Sequence, residues 1–198
     1  MRVRSALAAA AALALGLGVL AAAAPASATP AGGSTATAQI PKAAQVASVG
    51  VIQGTVHEVT KQQELIRAQA AGVSTRTLAQ IDATATYSCW YWDTQVYYKN
   101  AFGSVILRFH VEPNWCTTGY WLASPVYTNT WANVNVPGWS YTHTGGWTKY
   151  GAGWNIYITH QNGHFCFVSY FGCVQNKYPW IEDEVGPGSR VDYMHYGT

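Results

Sequence analysis

The chain has 198 residues, a nearly balanced charge and 27 aromatic side chains, nine of them tryptophan. The chain contains eleven Lys and Arg and nine Asp and Glu residues. It therefore lacks the large basic surplus that nucleic-acid-binding proteins carry. No basic amphipathic helix of the type that lies on membranes is visible in the sequence. These totals argue against nucleic acid and membrane as partners.

Residues 1–28 have the pattern of a bacterial secretory signal peptide. Arg2 and Arg4 give a positive start, an uncharged Ala-rich run follows over residues 5–24, and small residues close it at Ala26-Ser27-Ala28. A retained membrane helix is the alternative, but a cleavage site follows the run directly. We therefore predict a secreted, extracellular protein. Because Arg2 and Arg4 are removed with the leader, the mature chain would contain nine basic and nine acidic residues.

Four cysteines remain in the predicted mature chain: Cys89, Cys116, Cys166 and Cys173. An even number in an exported chain of this size is typical of a disulfide framework, and the short C-x2-C spacing of zinc sites is absent. We predict two disulfides, no metal and no other cofactor. Of the three pairings that four cysteines allow, we favour Cys89–Cys116 and Cys166–Cys173, because each pair lies near the ends of strands that could be neighbours.

Aromatic content divides the chain into two segments. Residues 1–86 contain no Phe, Trp or Tyr, and residues 29–47 have the Ala/Thr/Gly/Pro-rich composition of a linker. Apolar spacing between Val51 and Ile81 predicts one amphipathic helix, broken near Ala71-Gly72. Residues 29–86 are therefore either a linker that stays or a pro-segment that docks on the domain and is removed.

The second segment, residues 87–198, has the pattern of short strands. Residues 104–112 alternate apolar and polar side chains, as a half-buried strand does. Seven further strands are predicted, over 86–92, 121–127, 130–136, 138–143, 154–161, 164–171 and 179–185. Short strands at this spacing predict an all-β fold, a small antiparallel β-sandwich or open barrel with two disulfides, preceded by a short helical or disordered segment.

One hairpin has a specific turn signal. Asn162-Gly163 suits a two-residue type I′ turn, which needs positive φ at both positions. This register would place His160 and His164 on opposite sides of the sheet, so they would not form a ligand pair. His110 and His143 have no nearby partner in the sequence, and we interpret them as ordinary strand histidines.

The only charge cluster is Glu182-Asp183-Glu184, which we interpret as a solvated edge strand. The alternatives are a calcium site and a catalytic pair, Glu182 and Glu184, facing Glu112 or Asp93. No nucleophile motif or phosphate-binding glycine loop appears. We therefore predict no catalytic residues and no enzyme, with a small secreted hydrolase as an alternative.

The aromatic load is the main functional signal, because 27 rings cannot all enter the core of a domain of about 110 residues. Surplus Trp and Tyr rings on a rigid sheet suit stacking on sugars, and near-zero charge suits a neutral ligand. We predict a non-catalytic binding module for polysaccharide or cell-wall glycan; the alternative is a secreted protein-interaction factor such as an inhibitor, toxin or coat component. The candidate ligand-binding residues are Trp139, Tyr141, Trp147, Tyr150, Tyr157 and Tyr170.

Several short motifs lie between residues 87 and 185. They are Arg108-Phe109-His110, Trp115-Cys116, Gly151-Ala152-Gly153-Trp154-Asn155, Phe165-Cys166, Gly172-Cys173-Val174-Gln175 and Tyr178-Pro179. With these motifs the chain resembles a group of small secreted actinobacterial proteins that contain Trp and Cys and have no assigned activity. The resemblance implies export, disulfides and a β fold, and it implies no mechanism.

Overall fold

The fold is described from a computed structural model, which describes residues 39–83, 88–170 and 172–198. The predicted signal peptide and the first part of the predicted linker lie outside these residues. Within the described ranges, no helix is long and apolar enough to cross a membrane.

The first sheet contains four antiparallel strands in chain order. They are β1 (Ser48–Val59), β2 (Ser88–Lys99), β3 (Val105–Thr117) and β4 (Leu122–Val134). The strand predicted from alternation over 104–112 is confirmed as part of β3, and the two strands predicted over 121–127 and 130–136 form the single strand β4.

The second sheet contains five antiparallel strands. They are β5 (Trp139–Tyr150), β6 (Tyr157–Ser169), β7 (Gly172–Lys177), β8 (Trp180–Val185) and β9 (Val191–Gly197). Their order is β5-β6-β8-β9, with β7 paired to the last part of β6. A short 3-10 helix, Ala152–Trp154, connects β5 to β6.

The core lies between the two sheets. Side chains alternate between buried and more exposed positions in most of β2 of the first sheet and in β6 and β8 of the second. The largest fully buried side chains come from both sheets: Tyr98, Phe109 and Trp115 from the first, and Tyr157, Phe165 and Ile181 from the second. This arrangement confirms the predicted antiparallel β-sandwich.

The segment before residue 87 differs from its prediction. Residues 51–59 belong to β1, not to a helix, and two helices follow it, α1 (Lys61–Ala70) and α2 (Thr75–Ala83). The helix begins at Lys61 because Thr60 caps it in a capping box with Gln63. The first sheet thus includes chain from both predicted segments, and removal of residues 29–86 stays a prediction.

The predicted hairpin at Asn162-Gly163 is wrong, because β6 runs straight through these residues. Gly163 serves close packing and not a turn. A Cβ there would stand 3.0 Å from the Phe109 ring and 3.1 Å from the Tyr141 ring, so a larger residue would require these core rings to shift away from the strand. With β6 continuous, His160 and His164 are four residues apart and share one face of the sheet.

The predicted edge strand over residues 182–184 is also wrong, because β8 lies between β6 and β9. Asp183 points into the core, where the Thr94 hydroxyl oxygen lies 2.6 Å from its carboxyl oxygen Oδ2. Burial raises the pKa of Asp183 well above its ordinary value. The Thr94 hydroxyl also donates to the carbonyl oxygen of Val111, at 3.0 Å, which suits a protonated Asp183 that donates to Thr94.

Both predicted disulfides are confirmed, Cys89–Cys116 across β2 and β3 and Cys166–Cys173 across β6 and β7. They close loops with sequence separations of 27 and 7 residues. Because a longer loop restricts the unfolded chain more, replacing the Cys89 and Cys116 pair by alanine should lower the unfolding free energy by about 1 kcal/mol more than replacing the other pair. Urea denaturation of both variants tests this, and an equal loss would contradict it.

Candidate functional site

A groove of about 550 Å³ opens on the outer face of the first sheet, between the end of α1 and strand β4. Its volume is in the range of small-ligand sites in proteins. Its walls include Arg67, Ala70 and Ala71 on the helix side, and Asn129, Thr130 and Trp131 on the strand side.

The indole of Trp131 is the aromatic wall of this groove. It stacks on the His110 imidazole of the neighbouring strand β3, with ring centroids 4.5 Å apart and planes 15° apart. His110 is fixed on both sides, with Nδ1 3.0 Å from Asp93 Oδ1 and Nε2 2.8 Å from Asn133 Oδ1. Trp131 is half-buried and also lines the groove.

Arg67 is the cationic wall and is held by three groups of the first sheet. Its Nη2 lies 2.6 Å from Glu112 Oε1, its Nε 3.4 Å from Asn114 Oδ1, and its guanidinium carbon 3.6 Å above the Tyr91 ring. The Glu112 oxygen also accepts a hydrogen bond from the Asn129 amide, at 3.0 Å. These contacts position the polar groups of the groove before any ligand arrives.

A second carboxyl group lies buried beneath the helix side of the groove. Glu64 of α1 is fully buried, and this burial raises its pKa to about 7, with the nearby Glu112 adding to the increase and Tyr127 and Arg67 opposing it. Burial and the adjacent Glu64 likewise raise the pKa of Tyr127. Glu64, the buried carboxyl group of α1, therefore gains its negative charge near neutral pH.

The groove combines the Trp131 indole with a guanidinium, an amide and hydroxyl groups. An indole face packs on the C–H face of a sugar ring, and the polar groups can hydrogen-bond sugar hydroxyls. Within the described ranges, no group of three His, Cys, Asp or Glu is arranged to hold a metal ion. The groove thus offers ring stacking together with hydrogen-bond donors and acceptors.

No known protein family matches this chain. No curated protein and no solved structure was found to be similar to it either. The function is therefore argued from the site itself.

Four of the six sequence-predicted ligand-binding residues belong to the core or its margin. Trp139 is buried, and its indole N–H donates to the Ala44 carbonyl oxygen at 2.9 Å. Tyr157 is buried, and its hydroxyl lies 3.0 Å from that of Thr128. Half-buried Tyr141 and Tyr150 pack against core rings. Contrary to the expectation of displayed rings, Trp139 and Tyr157 offer no exposed face.

The other two predicted residues, Trp147 and Tyr170, are exposed, at 46% and 98% of their surface. Trp147 stacks on His160 with centroids 5.3 Å apart, and Trp180 stacks on His160 at 5.1 Å. His160 thus lies stacked between Trp147 and Trp180 and covers one face of each. For Trp147, the face that points away from His160 remains for a ligand. Ligand binding by Trp147 or Tyr170 stays a prediction.

The carboxylates weighed for a hydrolase do not share a cleft. Glu182 lies on the outer face of the second sheet, where its carboxylate is 3.2 Å from His160 Nδ1. Asp93 and Glu112 lie on the outer face of the first sheet, with His110 and Arg67. The sandwich core separates the two faces, so Glu182 and Glu184 cannot form a catalytic pair with either residue.

Sequence reasoning did not select Arg67, Asn129 or Trp131. Arg67 lay in the predicted helix and Trp131 in a predicted strand. The sequence therefore indicated the secondary structure of each residue but not that both line the same groove. The stack of Trp131 on His110 depends on the β3–β4 register, and the Arg67 contacts depend on how α1 docks. Neither follows from local spacing.

Proposed function

We propose that this chain is a secreted, non-catalytic module that binds a neutral polysaccharide or cell-wall glycan in the groove between α1 and β4. One observation carries the proposal. The Trp131 indole stacks on His110 and lines a groove whose polar walls are Arg67 and Asn129.

A neutral ligand is favoured because the charge of Arg67 is already compensated. Its guanidinium pairs with Glu112, and a second carboxyl group, Glu64, lies beneath it. Although Arg67 is paired with Glu112, it can still donate hydrogen bonds to sugar oxygens, since a guanidinium has five N–H donors. A strongly anionic polymer would have to compete with the Glu112 carboxylate for this one cation.

Binding is favoured over hydrolysis because the nearby carboxyl groups are engaged or covered. Glu112 already accepts hydrogen bonds from Arg67, Asn114 and Asn129. Glu64 is fully buried, and neither residue lines the groove. A glycosidase needs two carboxyl groups on either side of the scissile bond.

The proposal is tested with the full chain, expressed with its leader in a secreting bacterial host. The purified protein is mixed with insoluble polysaccharides and peptidoglycan, and its depletion from the supernatant and its tryptophan fluorescence are followed. We expect retention on one polymer, reversed by soluble fragments of that polymer. Retention on none would contradict the proposal and favour the protein-interaction alternative.

Export has its own test, because the two disulfides are compatible with an extracellular protein but do not establish secretion. We expect the protein in the culture medium to begin at Thr29, with no free thiol. N-terminal sequencing and thiol titration measure both. A chain that stays in the cytoplasm with Met1 in place would contradict export.

A further inference from the structure

Three exposed aromatic side chains lie where two connections of the sandwich meet, and the groove uses none of them. Tyr120 and Trp121 belong to the β3–β4 connection and expose 86% and 53% of their surface. Trp154, at the β5–β6 connection, exposes 50%. We call these three residues the aromatic end patch.

Gly153 links the two connections, because the Trp121 side chain packs against it. A Cβ at this glycine would stand 3.1 Å from the Cζ3 atom of the Trp121 indole, and its φ is +75°. The Trp121 ring therefore lies against the backbone directly before Trp154, and a larger residue at position 153 would push it away. Trp121 thus lies against the residue that precedes Trp154, and both tryptophans are half-exposed.

Trp154 is held in this position at an energetic cost. Its φ is +60°, which no other non-glycine residue in the described part of the chain shares, and bulky residues rarely adopt this region. Its amide donates to the Gly151 carbonyl at 3.1 Å, and its ring lies 4.3 Å from that of Tyr150. Backbone strain of this kind persists where surrounding contacts hold it and is concentrated at functional sites.

The charge and size of the aromatic end patch indicate its ligand. Residues 117–122 and 150–156 contain no charged side chain, which suits a neutral ligand and disfavours anionic lipid surfaces, where basic residues supply the attraction. The three rings together expose roughly 400 Å², about half of what a stable protein interface buries on each partner. A few sugar rings match this area.

We propose that the aromatic end patch is a second binding surface for the same neutral polysaccharide, an inference that rests on the proposed function for its ligand class. Trp121 precedes β4 and Trp131 lies near its end, so about 30 Å of strand separates the patch from the groove. A long polymer can contact both surfaces, and a short fragment only one. Two linked contacts raise the affinity for the polymer beyond that of either contact.

The test compares polymer and short soluble fragments as ligands of the full chain. Trp154→Gly removes the ring and relieves the positive φ, and Trp121→Ala removes the second indole. Phe102→Ala is the matched control, because Phe102 is 71% exposed in the β2–β3 turn, at the other end of β3. Thermal unfolding verifies that each variant is folded.

We expect both patch variants to lose at least tenfold in affinity for the polymer, with fragment affinity and the Phe102→Ala protein unchanged. Polymer affinity unchanged in both patch variants would overturn the inference, and the groove proposal would stand if Trp131→Ala still abolished binding. Loss in the patch variants alone, with Trp131→Ala unaffected, would overturn the groove and keep the patch. Association of the wild-type protein with phosphatidylcholine vesicles or with itself, in place of any polymer, would overturn both.

Discussion

Replacing Trp131 by alanine is expected to weaken binding of the retained polysaccharide about 50-fold or more. A sugar stacked on one indole face removes about 100 Å² of apolar surface from water, worth about 2.5 kcal/mol. The loss is measured by fluorescence titration with soluble fragments of the polymer. The variant should remain folded, because Trp131 lies on the surface of an edge strand.

Trp147→Ala is the matched control, since it removes a half-exposed indole from the other sheet. Trp131→Phe keeps an aromatic face and should retain part of the affinity. If Trp147→Ala abolished binding while Trp131→Ala bound normally, the ligand would lie at the sequence-predicted residue and the groove assignment would be wrong.

The unfolding free energy is expected to fall by about 3 kcal/mol on account of Glu64 as the pH rises from 4.5 to 8. Burial raises the pKa of Glu64 from 4.5 to about 7 in the folded protein, so the fold favours the protonated form. Its stabilising contribution is therefore complete below about pH 4.5 and is lost as the pH rises through 7. Asp183, whose pKa burial also raises, acts in the same direction.

Glu64→Gln isolates this contribution, because the amide stays neutral at every pH. Urea denaturation should show the variant and the wild type equally stable near pH 4.5, and the variant more stable at pH 8. Glu58→Gln, at an exposed position of β1, should follow the wild type throughout. A constant difference between Glu64→Gln and wild type across this pH range would contradict the account.

The fold class, the disulfide pairing and most strands could be predicted from the sequence, because period-2 alternation and cysteine placement are local signals. The hairpin at Asn162-Gly163 was mispredicted because glycine serves two purposes. It permits positive φ in a turn, and it also admits close neighbours such as the Phe109 ring. Composition does not distinguish these purposes.

The segment over residues 51–59 was mispredicted because the spacing of its valines follows a helical and not a strand period. Val56 and Val59 satisfy a helical spacing, and pairing with β2 across a bulge decides in favour of a strand. Similarly, Glu182-Asp183-Glu184 resembled an edge strand because burial of Asp183 against Thr94 is a tertiary contact. Tertiary pairing overrode local pattern in both cases.

The candidate site was the least predictable part. The sequence correctly indicated surplus aromatic rings, but it did not distinguish core rings such as Trp139 from wall rings such as Trp131. That difference depends on which strand lies at a sheet edge and where α1 docks. Contacts of Arg67 and His110 span 45 and 17 residues of sequence, beyond the range of local spacing arguments.

The central claim is that the ligand lies against the Trp131 indole, and indole N–H signals in two-dimensional ¹H–¹⁵N NMR test it most directly. The nine tryptophans give nine such signals, and Trp131→Phe assigns the relevant one. Adding short soluble fragments of the retained polysaccharide should shift the Trp131 signal and leave that of buried Trp115 in place. A Trp131 signal that stays fixed while another indole shifts would contradict the account.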